Sequence, residues 1–123
     1  MKIFLILVLA LHVLAEGGLG LALVANPETV AAQVGLSHVM ILTTYGFAGI
    51  TMAIAVAWLW PQRRNVAVLG TVLGILATFH TAIALSMLVA FARGGDLSGA
   101  ITHGVFALCF WVLWAKRQQL ANA

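Results

Sequence analysis

Four ionisable side chains stand in stretches otherwise made of apolar residues: His12 and Glu16, His80, and His103. Burying such groups in hydrocarbon is costly, so they face a protein interior or a cavity and mark functional sites by default. Imidazole and carboxylate are good ligands for zinc, copper or iron, and both also hold protons. The i, i+4 spacing of His12 and Glu16 puts them on one helix face, about 6 Å apart along the axis. His12, Glu16 and His80 are the candidate metal ligands, and with His103 they form the candidate ligand or proton site. Counted from the middle of each apolar run, His12, Glu16 and His80 fall near the bilayer centre and His103 further out. His38 and Met40 fall at the boundary, where a single His-x-Met gives little support for copper. Two histidines at similar depth, His12 and His80, could also hold haem axially. The competing reading is structural, with the histidines bonded to Thr51, Thr81, Thr102 or a carbonyl and Glu16 neutral or paired to His12.

Four apolar runs must carry these groups, near 3–25, 38–60, 66–92 and 98–115, each close to the 20 or so residues a spanning helix needs. Of the 123 residues, 63% are hydrophobic and 7% charged, where soluble domains have roughly 25% charged. The expected fold is all-α, an integral-membrane four-helix transmembrane bundle forming one domain over 1–123. Short connections make consecutive helices antiparallel. The first run also suits a cleaved secretory signal, with Lys2 ahead of it and a small-residue site before Glu16. Its continuation to Ala25 favours a retained helix.

Orientation follows from cations in short loops. Lys2, Arg63, Arg64, Lys116 and Arg117 fall on one side of the four-span arrangement, and Arg93 falls on the other. Both termini are therefore expected in the cytoplasm. Trp58, Trp60, Trp111 and Trp114 support this from the same ends of spans two and four. Asn26 with Pro27 should start a short outer helix, Gly35 end it, and Ser37 cap span two. Gly17, Gly20, Gly46, Gly49 and Gly70-x-x-x-Gly74 permit close helix approach.

Several classes are excluded. The net charge of +3 rests on too few residues for nucleic-acid binding. The single cysteine, Cys109, precludes an internal disulfide and a CxxC pair. No phosphate loop, dinucleotide fingerprint or nucleophile motif is present. A faint repeat relates Leu11-His12 and Leu36-Ser37-His38 to Phe79-His80 and Ile101-Thr102-His103, suggesting two hairpins with equivalent histidines.

The chain resembles the DoxX-like group of small bacterial membrane proteins. The similarity lies in Glu16-Gly17 within span one, the segment from Asn26-Pro27-Glu28 to Gly35-Leu36, and Tyr45-Gly46 to Gly49 at the start of span two. An arginine or acid expected early in span two is absent. The resemblance implies a small multi-pass protein of the cell inner membrane, associated with redox-linked assemblies. The function expected on these grounds is a buried His/Glu polar or ligand-binding site in such an assembly. The alternatives are a haem- or metal-binding redox protein, or a structural subunit of a larger complex. Expected partners are the lipid bilayer and either other membrane subunits or further copies of the chain.

Overall fold

A computed structural model describes residues 1–29 and 39–122. The fold is all-α, and four helical segments are long and apolar enough to cross a membrane: Lys2–Ala25, Val39–Gln62, Val66–Phe91 and Ser98–Ala115. At 1.5 Å per residue the shortest is about 27 Å and the longest about 39 Å, matching a hydrocarbon layer of about 30 Å with modest tilt. The chain is a multi-pass membrane protein. The boundaries agree with those expected from sequence to within a few residues, while Gly35, Ser37 and His38 lie outside the described residues.

In chain order the helices are α1 (Lys2–His12), α2 (Gly18–Ala25), α3 (Val39–Leu59), α4 (Val66–Phe91), α5 (Ser98–Ala115) and the short α6 (Arg117–Ala121). A π-helical turn, Val13–Gly17, links α1 to α2. A 3-10 turn, Trp60–Gln62, follows α3 with Pro61 in its first positions. Asn65 then starts α4, its side-chain oxygen accepting from the amides of Ala67 at 3.0 Å and Val68 at 3.2 Å. This is a well-formed N-cap. The α4–α5 connection turns through Gly94, whose φ of +93° favours glycine. Asp96 accepts from both the amide and the hydroxyl of Ser98, the first residue of α5. The Ser98 hydroxyl bond holds the exposed Asp96 carboxyl below the usual carboxylate range.

The chain divides into two compact units, one of Met1–Val8 with Leu59–Ala123 and the other of Leu9–Trp58. In the first, α4 and α5 pack antiparallel: Gly99 lies against Met87 towards one end and Gly74 against Trp114 towards the other. The buried positions of α4 are Leu69, Gly70, Leu73, Leu76, Ala77, His80 and Ala84, and those of α5 are Ala100, His103, Ala107, Phe110 and Leu113. The α5 set recurs at intervals of three and four residues and the α4 set mostly so, the spacing of a helix seam. His80 and His103 therefore occupy seam positions where aliphatic side chains would otherwise sit.

In the second unit, glycine sets the packing. A Cβ at Gly20 would lie 2.6 Å from the carbonyl oxygen of Gly46, and a Cβ at Gly46 would lie 2.9 Å from that of Gly20. The backbones of α2 and α3 thus touch directly, as small residues allow in membrane helices. Leu23, Leu42 and Tyr45 pack beside this contact. Gly70 and Gly74 behave differently: they receive the Arg117 side chain, 2.7 Å from a Cβ placed on Gly70, and the Trp114 ring, 3.4 Å from one on Gly74. Long side chains rather than a neighbouring backbone fill that groove.

Candidate functional site

All four histidine and glutamate candidates are buried: His12 and His80 at 0% exposure, Glu16 at 3% and His103 at 6%. Glu16, His80 and His103 each offer a metal-ligating atom.

In the first unit, His80 at mid-α4 meets His103 of α5, with their Nδ1 atoms 2.8 Å apart. The contact requires one nitrogen to carry the proton and the other to present a lone pair, so the two rings take opposite tautomers. Aromatic rings flank His80. Phe106 and Phe110 stack near-parallel to His80, with centroids at 4.8 Å and 5.5 Å, and Phe79 presents an edge at 5.3 Å. These rings fix the imidazole plane and aim Nδ1 at its partner. Threonines close in sequence are committed elsewhere: Thr81 and Thr102 donate to the carbonyls of Ala77 and Ser98 one turn back. Thr81 also accepts from the Trp111 indole at 3.2 Å.

The separation constrains ligand chemistry. With metal–nitrogen bonds of about 2.0–2.1 Å, nitrogens 2.8 Å apart subtend about 85–90° at the ion, a cis arrangement. A tetrahedral site needs about 3.3 Å between nitrogens, reached by sliding one ring about half an ångström. Haem between these two nitrogens does not fit, because axial ligands on opposite porphyrin faces lie about 4 Å apart. A single ion shared by the two imidazoles does fit.

In the second unit, His12 ends α1 and Glu16 lies inside the π-helical turn. The sequence expectation of an α-helical i, i+4 pair is thus altered in detail, since the intervening residues wind with a wider turn. Such turns recur at functional positions, and Gly17-Gly18 lowers the local preference for regular α-helix. The Tyr45 hydroxyl donates to Glu16 Oε2 over a long 3.4 Å. Gly49 makes room for the carboxylate: a Cβ there would stand 2.9 Å from the Glu16 carbonyl oxygen and 3.1 Å from its Oε2. Tyr45 and Gly49 thus adjoin the Glu16 carboxylate, outside the set that ionisable type and depth single out. Their i, i+4 spacing on α3, facing the Glu16-Gly17 step, was the available signal.

His103 is a full partner of His80 rather than a peripheral member, because α5 begins at Ser98 and the antiparallel stagger brings the two to one level. Met40 is 78% exposed, and its neighbour His38 lies outside the described residues. Comparison with models of known protein families, with curated proteins and with solved structures finds no match to this chain.

Proposed function

We propose that this chain is a small DoxX-like inner-membrane protein whose buried His80–His103 pair binds one borderline transition-metal ion, zinc or copper, within a redox-linked assembly. The observation that carries the reading is the 2.8 Å contact between the two Nδ1 atoms, with aromatic rings stacked on His80. Two convergent imidazoles suit such ions, and seam positions would favour leucine if packing alone mattered. Glu16 with Tyr45 serves as a proton-holding group, His12 lying one turn away on the same span. Both termini face the cytoplasm. Lys2, Arg63 and Arg64 line one cavity of the first unit, which supports the clustering of cations at one membrane face.

Elemental analysis and an absorption spectrum of the purified full chain test this reading. It expects one zinc or copper per chain, removed together with any associated absorbance by His80→Phe or His103→Phe. A haem spectrum would redirect the assignment to another pair of ligands, and absence of metal from protein loaded with either ion would leave a structural role for the histidines.

A further inference from the structure

The first unit contains a cavity of about 80 Å³ lined by Lys2, Leu5, Ile6, Trp60, Arg63, Arg64 and Leu120. That is several times the space one water requires, about 10–15 Å³. Three cations converge on it, and among the described residues its lining holds no acid. The first turn of α1 also contributes, so the positive end of that helix adds to the field. Arg63 is held in place twice, donating to the Trp60 carbonyl at 2.8 Å and stacking over the Trp60 ring at 4.6 Å. The cationic wall is thus partly preorganised. Leu5 and Leu120, which also line the cavity, are buried and supply an apolar floor.

We propose that this cavity is a binding site for a phosphate group, with the headgroup of an anionic phospholipid as its favoured source. Three observations combine: a concave site, a cation set able to grip phosphate oxygens, and an apolar floor that suits the glycerol and first acyl carbons. Trp60, at the end of a membrane-length helix, sets the depth at which phospholipid phosphates lie. A basic pocket between helices at one membrane face is a recurrent form of lipid recognition. The inference is independent of the histidine pair, which lies in a different part of the unit and has no part in the test.

The experiment titrates the detergent-solubilised full chain with short-chain phosphatidylglycerol, phosphatidylcholine or inorganic phosphate, reading adducts by native mass spectrometry and the thermal midpoint. Phosphatidylglycerol should bind more tightly than phosphatidylcholine and raise the midpoint. Arg64→Gln should weaken that binding about fivefold, the contribution of one membrane-surface cation. Arg64→Lys should retain it, and Arg93→Gln in the other loop should leave it unchanged. If inorganic phosphate competes at the same concentrations, the site takes free phosphate. If it does not, the lipid is the source. Equal binding of the two lipids by wild-type protein, a result that needs no variant to fold, overturns the proposal, as does a folded Arg64→Gln protein that binds phosphatidylglycerol like wild type.

Discussion

The two units bury polar groups by different means. In the first, His80 and His103 sit on regular helices whose buried positions are otherwise leucine, alanine, phenylalanine and one glycine. Their Nδ1 atoms pair with each other while aromatic rings stack on His80. In the second, Glu16 enters through a π-helical turn and is accommodated because Gly49 has no side chain, and it accepts a long bond from Tyr45. The first arrangement is a matched pair built from side chains. The second is a polar group fitted by removing side chains, so its stability depends on backbone proximity. Between membrane helices there is little hydrophobic drive, and close packing with polar pairing carries more of the association. Each unit leans on one of these two resources.

The contrast predicts that steric change is worst in the second unit and loss of a partner is worst in the first. Gly20→Leu should have the largest effect. The atom that its Cβ would strike is a backbone oxygen at 2.6 Å, and overpacking costs about 1–3 kcal/mol or more when the neighbour cannot move. Unfolding in a denaturing detergent titration should shift accordingly, whereas Gly104→Ala, at a position with no atom within 4 Å of an added Cβ, should not. Equal behaviour of the two variants would remove the backbone-contact argument.

Next in size is the histidine pair. His103→Leu removes the partner of the His80 Nδ1 and should cost about 1–3 kcal/mol. The double variant His80→Leu/His103→Leu should recover part of this, giving a coupling of about 0.5–2 kcal/mol in a double-mutant cycle. Strictly additive losses would mean that the two rings do not depend on each other. Smaller still is Tyr45→Phe, which removes a 3.4 Å bond and should cost about 0.5–1 kcal/mol. A cost as large as that of His103→Leu would erase the distinction between the units.

The smallest effect lies in the α4–α5 loop. The Asp96 carboxyl is held below its ordinary value by Ser98, so the folded state binds its proton less readily than the unfolded chain does. Its contribution is present above the unfolded-state value, about 3.9, and fades as pH falls through the lower folded value. The thermal midpoint of wild type should therefore drop slightly more than that of Asp96→Asn as pH is lowered below about 4. Parallel curves would show that the bond to Ser98 adds nothing.

Much of the scaffold was legible in residue type alone. The spans follow from charge-free runs, and the breaks follow from Pro61, Asn65 and Gly94, whose backbone chemistry ends or starts helices. The depths of His12, Glu16 and His80 could be counted. What counting could not supply was rotation and stagger: His103 is three residues nearer its helix end than a midpoint rule favours, yet the antiparallel offset of α5 on α4 sets it beside His80. The π-helical turn was equally hidden, because Gly17-Gly18 permits several windings and only packing selects one. The Gly70-x-x-x-Gly74 pattern permits close approach without naming what approaches. A groove of small residues accepts either a backbone or a long side chain, and here Arg117 and Trp114 occupy it. The repeat reading sets His12–His38 beside His80–His103, and only the second pair falls within the described residues.

Metal affinity of the histidine pair is the most direct test of the account. The full chain, stripped of metal in detergent, is titrated with Zn²⁺ by calorimetry alongside the His80→Phe/His103→Phe variant. The account predicts one site per chain in wild type, lost or at least about tenfold weaker in the folded variant, since both first ligands are gone. Equal binding by the two proteins, or no binding by wild type, would contradict it.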